Sequence, residues 1–334
     1  MVTTLPAASA SLRFVIDTDA GVDDAVAIML ALHAFPREAA LCVTTVFGNV
    51  DLHQANHNVA HILEACGRTD LPVHSGASKA IVASVSEERW AGHGPDGLGG
   101  VSGTPDASSP LLAAARKNDA VHTLVDLAHK HKGELVVFAL GPLTNVALAT
   151  LIDPNFMDNI KQVVVMGGTS RGEGNLTKHA EFNVGCDPEA TNIVLQHSDS
   201  ADKVLVLPFE TSMDHGLPWT TFDQIFQADA KSANTDYIRR IWSFTKACAN
   251  DYGFVACDAY AVALLLHPEY VKTARPVRGS VHLAPDEFRG ASVWTEVSAD
   301  GQNQQLQQAN ATLITEIDDD IFVKLLEDLA QKDN

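Results

Sequence analysis

The sequence predicts an open, mostly parallel, doubly wound α/β sheet that is flanked by helices and belongs to a single domain. Short apolar runs typical of buried strands alternate with runs of helical periodicity along most of the chain, and no break in composition separates them. Helical crossovers between parallel strands are the usual result of such alternation. We expect one domain over residues 12–334, preceded by an N-terminal extension at residues 1–11.

Composition and charge restrict the classes to which the chain can belong. Its 334 residues include 42 acidic and 23 basic side chains, and the formal charge of −19 argues against a nucleic-acid partner. A hydrophobic content of 46% with a mean hydropathy of +0.01 is typical of a soluble globular protein. No apolar run reaches the roughly 18 residues of a membrane helix, so we expect no contact with a membrane.

The cysteines and the start of the chain predict a cytoplasmic location. Five cysteines are an odd number, and their spacing fits neither a disulfide framework nor a zinc site, which favours a reducing compartment. Residues 1–11 lack the basic start and the long apolar stretch of a signal peptide.

The first predicted strand ends in a cluster of four carboxylates. An apolar run from Phe14 leads into the cluster and a helical run at 25–32 follows it, so the acids lie on a strand-to-helix turn, where open sheets bind ligands. Buried like charges repel, and a bound hard cation such as Ca²⁺ or Mg²⁺ is the simplest way to stabilise them. A helix cap and the helix dipole explain one or two acids instead. The cluster consists of Asp17, Asp19, Asp23 and Asp24.

Strand and helix patterns repeat after this turn. The final segment at 271–316 alternates in a way that predicts antiparallel strands, and an amphipathic helix at 318–329 closes the chain. The other predicted strands lie at 41–46, 72–76, 135–140, 162–166 and 204–207. The other predicted helices lie at 53–66, 119–131, 234–251 and 259–266, and two more follow the turn at 141–145, ending near residue 153, and the cap at Asp187.

Two loops carry side chains of interest. The Gly-, Ser- and Pro-rich segment 79–106 contains Trp90 and His93, and it is either an ordinary surface loop or a lid over a ligand. Further on, Glu181 and Asn183 flank Phe182, an arrangement that suits hydroxyl recognition next to a flat ring. We interpret Asp187, which precedes a proline, as a helix cap.

These motifs together resemble the nucleoside hydrolases. The acidic turn is similar to the family signature Asp-Thr-Asp-Pro-Gly-x-Asp-Asp-Ala, except that Ala20 replaces the proline. The resemblance covers roughly residues 14–266 and implies a Rossmann-like fold. The later motifs that agree in order are Thr44-Thr45-Val46-Phe47-Gly48-Asn49, Leu140-Gly141-Pro142-Leu143-Thr144-Asn145, Val165-Met166-Gly167-Gly168, Ala180-Glu181-Phe182-Asn183 and Cys257-Asp258.

The resemblance implies hydrolysis of the N-glycosidic bond of ribonucleosides, to ribose and a free base, by a homodimer or homotetramer that binds Ca²⁺. It implies that Asp19 is the general base. It further implies metal ligation by Asp19, Asp24, Asp258 and the carbonyl of Leu140. The residues implied to bind the ribose hydroxyls or the 5′-hydroxyl, or to line the pocket, are Asp23, Asn49, Met166, Asn175, Glu181, Phe182 and Asn183.

The base-binding part of the expected site departs from the best-known members, which have His or Trp before the last aspartate. Here Cys257 occupies that position, and because a thiol is a weak acid we expect it to shape the pocket, while His93 or a water chain protonates the leaving base. Trp90 is suited to stack on a bicyclic base, so we expect purine nucleosides, inosine and guanosine first. The pair Phe244 and Cys248, where relatives show tyrosines, leaves a uridine-tolerant enzyme as the alternative.

Two other classes remain open at this point. The pair Asp17 and Asp19 after a strand superficially fits a phosphatase of the haloacid-dehalogenase type, whose first aspartate is the nucleophile. The Cys257 substitution also leaves open a calcium- or sugar-binding module without catalytic activity.

Overall fold

Nine strands form one sheet in the computed structural model, which describes residues 12–102, 112, 119–227, 232–297 and 308–331. The strand order is β3-β2-β1-β4-β5-β6-β9-β7-β8. The strands are β1 (Arg13–Thr18), β2 (Ala40–Thr45), β3 (Val73–Ser75), β4 (Leu135–Ala139), β5 (Gln162–Met166), β6 (Val204–Leu207), β7 (Val271–Val281), β8 (Ser292–Glu296) and β9 (Ala311–Ile317).

The sheet is parallel except at one edge. Neighbouring strands pair in parallel along the series β3, β2, β1, β4, β5, β6 and β9, whereas β7 pairs antiparallel with both β9 and β8. The predicted fold class and the antiparallel additions near the end of the chain are therefore confirmed. The chain runs from β1 to β2 on one side and returns to β4 on the other, so a crevice opens beyond the carboxyl ends of β1 and β4.

Helices cover both faces of this single α/β domain. Side chains of β1 alternate between two apolar layers, with Phe14 and Ile16 in one and Val15 in the other, which explains its nearly continuous apolar pattern. The helices are α1 (Val22–Ala34), α2 (Leu52–Ala65), α3 (Ala120–Lys130), α4 (Thr144–Ile152), α5 (Phe156–Asn159), α6 (Phe182–Cys186), α7 (Pro188–Gln196), α8 (Phe209–Asp214), α9 (Trp219–Ile225), α10 (Ala233–Cys248), α11 (Cys257–Ala263) and α12 (Asp319–Ala330).

The sequence did not predict four of the short helices, α5, α6, α8 and α9. Each is too short for a helical period to stand out. Helix α10 ends at Cys248 rather than at residue 251, because a 3₁₀ turn at Asn250–Tyr252 follows it. The proposed extension at residues 1–11 and the end of segment 79–106 lie outside the described residues. No helix in the described ranges is long and apolar enough to cross a membrane.

The turn between β1 and α1 has an unusual backbone. Ala20 adopts φ 58°, in the left-handed region that L-residues other than glycine rarely occupy. Its backbone N–H donates to the Thr18 hydroxyl at 3.1 Å, and its side chain is fully buried. Proline, the residue at this position in the family signature, has no N–H and a φ near −65°, so it does not fit this turn.

We expect Ala20→Pro to lower the free energy of unfolding by about 3 kcal/mol or more, because the turn must rebuild and the hydrogen bond to Thr18 is lost. Ala20→Gly is the matched control. Glycine relieves the left-handed strain of the folded turn but raises the conformational entropy of the unfolded chain. Because these effects oppose each other, the free energy of unfolding should change by no more than about 1 kcal/mol. Urea unfolding followed by circular dichroism measures both, and a proline variant as stable as the parent would contradict the observed turn.

Candidate active site

Asp19 follows the end of β1, is completely buried and is held by one asparagine. The backbone N–H of Asn49 donates to Asp19 Oδ2 at 2.7 Å, and its side-chain amide donates to Asp19 Oδ1 at 3.1 Å and to Asp24 Oδ2 at 3.2 Å. Gly48 permits this approach, because a Cβ at that position would lie 2.0 Å from Asp19 Oδ2. A single amide from the loop after β2 therefore connects two acids of the turn after β1.

The other two acids that flank Asp19 in sequence have different surroundings. Asp24 accepts hydrogen bonds from the Thr18 hydroxyl and from the backbone N–H of Gly21, so it also closes the first turn of α1. Asp17 is completely buried and accepts from Thr44 Oγ1 at 2.5 Å and Asn145 Nδ2 at 2.7 Å. Asp17 therefore braces β1 against β2 and α4.

Asp23, Asp24 and Asp258 form the group of carboxylates best placed to hold a cation. One oxygen from each lies within 4.8 Å of the others. Asp23 Oδ1 is buried and has no hydrogen-bond partner among the residues that the structure describes. An all-oxygen donor set with an unsatisfied buried atom fits a hard divalent cation.

The predicted metal ligands are only partly brought together by the structure. Asp24 and Asp258 meet as predicted, although they lie far apart in the chain. The carbonyl oxygen of Leu140 faces the same region, where it accepts from Asn183 Nδ2 at 2.9 Å. Asp23 completes the three-carboxylate group, whereas the Asp19 carboxylate is engaged by Asn49.

Burial and mutual repulsion make these carboxylates hard to ionise. Burial, followed by the charges of neighbouring aspartates, raises the pKa of Asp19 and of Asp258 well above the usual range. Burial raises the pKa of Asp23 to about 6, and burial together with the Asp23 charge raises that of Asp24. A bound cation would remove the cause of this repulsion.

A cavity of about 600 Å³ opens above the acids and is large enough for a small-molecule ligand. Its lining falls into two sets. The polar set contains Asp23, Asn49, Asn175, Glu181, Asn183 and Asp258. The apolar set contains Val22, Met166, Phe182, Phe209, Met213, Trp242, Ala249 and Val255. The lining also includes Arg89, Trp90, His93, Leu140, Tyr252 and Cys257.

Glu181 has a structural role that the sequence analysis missed. It caps α6, and its carboxylate accepts from the backbone N–H groups of Gly168, Asn183 and Val184 at 2.8, 2.9 and 3.1 Å. Burial nevertheless raises its pKa to about 7. Asp187 caps α7 as predicted by accepting from the Ala190 N–H.

Two asparagines present side chains around Glu181. The Asn183 amide donates to the carbonyls of Leu140 and Met166, so it ties α6 to the ends of β4 and β5. Asn175 Oδ1 accepts from the Phe182 N–H at 2.7 Å. That bond fixes the Asn175 side chain by its oxygen.

His93 and Trp90 come together on one short turn at the cavity wall. Their rings meet edge to face with centroids 4.9 Å apart; His93 is buried, whereas Trp90 is 48% exposed. His93 Nδ1 accepts from the Val22 N–H at 3.3 Å and lies 3.8 Å from Asp23 Oδ1. Burial lowers the pKa of His93 to about 4, so the ring is neutral with its proton on Nε2.

Gly21 makes this arrangement possible by its lack of a side chain. A Cβ there would lie 2.6 Å from Asn49 Nδ2 and 2.7 Å from His93 Nδ1. Helix α10 holds the same turn from the other side, since Thr245 Oγ1 donates to the Gly92 carbonyl at 2.8 Å.

Cys257 lines the cavity beside Asp258, and burial raises the pKa of its thiol well above the usual value, so the side chain is a neutral thiol. Sequence reasoning missed several lining residues that lack a chemical pattern or lie on unpredicted elements. These are Arg89, Phe209, Met213, Tyr252 and Val255.

A doubly wound sheet with a carboxylate cluster in its switch-point crevice is typical of Rossmann-like α/β proteins that bind a small molecule there. The chain belongs to the inosine-uridine preferring nucleoside hydrolase family, which it matches over residues 14–324. It is therefore a hydrolase of N-glycosyl bonds in nucleosides, and the phosphatase and non-catalytic alternatives do not hold.

Named relatives and solved structures agree with this family. A probable uridine nucleosidase 2 from Arabidopsis thaliana is 37% identical over 231 residues, which cover 69% of this chain and 68% of the relative. The inosine-uridine preferring nucleoside hydrolase of Crithidia fasciculata is 29% identical and covers 96% and 98% of the two chains. The structure of an inosine-guanosine nucleoside hydrolase superposes with a TM-score of 0.86 at 30% identity, over 97% of this chain and 100% of the other.

The raised pKa values predict how pH and calcium act on stability. Without metal, burial raises the pKa values of Asp17, Asp23 and Glu181 in the folded chain to about 7, 6 and 7. In the unfolded chain the same side chains lose their protons near pH 4. This contribution is present at low pH and lost as pH rises through 6 and 7, so the free energy of unfolding in chelator should fall between pH 5 and 8. Calcium should stabilise more at pH 8 than at pH 5.

Urea unfolding at four pH values, with chelator and with excess calcium, measures the difference. Asp258→Asn should lose most of the calcium effect, whereas the exposed control Asp199→Asn should keep it. An equal calcium effect at pH 5 and pH 8 would show that the group of Asp23, Asp24 and Asp258 does not bind the ion.

Proposed function

We propose that the chain hydrolyses purine ribonucleosides, inosine and guanosine first, to ribose and the free base, with Ca²⁺ as its resident metal. The observation that carries this proposal is the single cavity in which a polar set of side chains adjoins an apolar set above a carboxylate cluster. A ribose needs the first set and the cation, and a planar base needs the second.

The residues proposed to hold Ca²⁺ are Asp24, Asp258, the Leu140 carbonyl and Asp19, with Asp23 beside them. All of these donor atoms are oxygens, and calcium accepts oxygen ligands with flexible geometry. When bound, the ion supplies positive charge that holds the ribose diol and a water and lowers the pKa of that water.

Asp19 is the proposed general base. Asn49 supplies two of its hydrogen bonds and thereby orients its carboxylate. A general base must be ionised at the working pH, and a bound cation would lower the raised pKa of this carboxylate so that it can accept a proton. As the N-glycosidic bond breaks, positive charge develops on the ribose, and the surrounding carboxylates stabilise it.

The polar set is proposed to recognise the sugar. Asp23 Oδ1 has no partner within the described residues and is free to accept from a ribose hydroxyl. Asn49 and Asn183 are fixed by neighbouring groups in the site, and Asn175 is fixed through its oxygen, which leaves its amide N–H groups for a hydroxyl. Glu181 lines the same region and organises the loop around it.

The apolar set is proposed to receive the base. Met166, Phe182 and the exposed face of Trp90 offer surfaces against which a bicyclic base packs. We propose that Cys257 shapes the pocket and that a water chain protonates the leaving base. His93, the other donor considered, is neutral at a pKa of about 4, so its Nε2–H can donate a hydrogen bond to the base but not a proton. The inosine-guanosine hydrolase at 30% identity supports purines, whereas the uridine nucleosidase relatives support a pyrimidine-tolerant alternative.

Two further proposals concern the state of the protein in the cell. We propose a homodimer or homotetramer, which the family resemblance supports. We also propose a cytoplasmic location, which is supported by five cysteines that are all free thiols.

Release of free base from inosine tests the proposed function directly. We expect turnover with calcium and a loss of at least about a hundredfold in chelator, restored when calcium is added back. Inosine should exceed uridine in kcat/KM by about tenfold or more, since the apolar set suits a larger ring. Comparable values for the two nucleosides would overturn the purine preference alone, whereas no release from any nucleoside would overturn the whole proposal.

Two substitutions separate chemistry from packing. Asp19→Asn should lower kcat by about a thousandfold, roughly 4 kcal/mol of barrier, because the proton acceptor is lost. Cys257→Ala should lower kcat by less than about tenfold, because the thiol does not transfer a proton in this proposal. Steady-state kinetics with inosine measures both, and a thousandfold loss for Cys257→Ala would make the thiol a catalytic acid.

A further inference from the structure

Glu210 is a buried carboxylate beside the cavity that the proposed chemistry does not use. It lies in α8 and is 2% exposed. Its Oε2 accepts from the Ser170 N–H at 2.7 Å, and its Oε1 accepts from the N–H groups of Arg171 at 2.8 Å and Glu173 at 3.2 Å. One side chain therefore satisfies three backbone donors of the same loop.

This loop leads directly into the polar set of the cavity. Gly174, Asn175 and Leu176 line the cavity immediately after the residues that Glu210 holds. Beyond them the loop closes on itself, because the Leu176 N–H donates to the Ala180 carbonyl at 3.1 Å. Asn175 thus lies between an anchor at Glu210 and an anchor at the start of α6.

The remaining contacts of α8 make Glu210 a rigid support. Thr211 Oγ1 donates to the carbonyl of Ile314 in β9 at 3.0 Å, and the Phe209 N–H donates to the Gly168 carbonyl at 3.0 Å. Phe209 and Met213 of the same helix line the cavity. Helix α8 therefore holds the loop that carries Asn175 and also contributes two side chains to the apolar set.

We propose that Glu210 is a positioning residue that fixes the loop at 170–175 so that Asn175 reaches a ribose hydroxyl. Hydrogen bonds from backbone N–H groups to a carboxylate are stronger than those between neutral groups, so loss of the charge loosens the loop. This inference rests on the proposed function, in which Asn175 binds the sugar.

The test compares Glu210→Gln and Glu210→Ala with the control Asp214→Asn. Asp214 lies on the same helix and pairs with Arg171 of the same loop at 2.6 Å, but both side chains are about half exposed. We expect Glu210→Gln to lower kcat/KM for inosine by about tenfold, mainly through KM, and Glu210→Ala to lower it further. Asp214→Asn should stay within about twofold.

A panel of inosine analogues that each lack one ribose hydroxyl identifies the route of the effect. Asn175→Ala should discriminate poorly against one analogue, and Glu210→Gln should lose discrimination against that same analogue. The double variant should show less than the product of the two single losses, because both act on one contact. Independent, multiplying effects, or unchanged kinetics with only a lower melting temperature, would reduce Glu210 to a structural residue.

Amide hydrogen exchange gives a readout that does not depend on turnover. Exchange at residues 170–176 should rise in Glu210→Gln and stay unchanged in Asp214→Asn. If the parent protein releases no base from any nucleoside, the proposed function fails while faster exchange still supports the loop anchor. If exchange in Glu210→Gln equals that of the parent, the positioning role is overturned even in an active enzyme.

Discussion

The repulsion among buried carboxylates at the β1–α1 turn is the constraint on which the rest of the site depends. Asp19, Asp24 and Asp258 are buried, and Asp23 joins them with an oxygen that has no hydrogen-bond partner in the described part of the chain. Several charges of one sign are stable in such a place only if protons or a cation compensate them. The fold brings Asp258 of α11 next to the acids of the β1–α1 turn, so a bound cation would connect these two distant parts of the chain.

Asparagine side chains hold the carboxylates and the neighbouring strand ends in place. Asn49 bridges Asp19 and Asp24, Asn145 holds Asp17, and Asn183 ties α6 to Leu140 and Met166. An amide donates without adding charge, so it orients an acid while leaving the charge balance to the cation. Each of these asparagines follows a strand or begins a helix at the crevice, so the carboxyl edge of the sheet sets their positions.

The sequence predicted the parts of this site that have a chemical pattern. The acids at 17–24 are recognisable because four carboxylates in one turn need an explanation. Asp258 alone looks like a helix cap, and only the distant acidic turn suggested a place for it in the site. Glu181 was harder, since a cap formed by a glutamate on a five-residue helix has no periodic signal. Met213 and Tyr252 were missed because an apolar or aromatic residue in an irregular segment looks the same whether it meets core or ligand. The backbone of Ala20 was equally hidden, because φ is a property of the folded turn.

The two sets of cavity residues have different structural origins, and this separates recognition of sugar from recognition of base. The polar set stands near strand ends, at the starts of α1, α6 and α11 and on the loop held by Glu210. Hydrogen bonds hold Asn49, Asn175, Glu181 and Asn183 in place. The apolar set comes largely from α8, α10 and the segment that follows, and it includes Trp242, whose indole N–H donates to the Val22 carbonyl at 3.2 Å. Apolar contacts distinguish related bases weakly, whereas buried hydrogen bonds distinguish hydroxyls strongly. In the proposed enzyme, selectivity for the ribose is therefore built into the sheet, and the choice of base can change with the surrounding helices without disturbing the acidic turn.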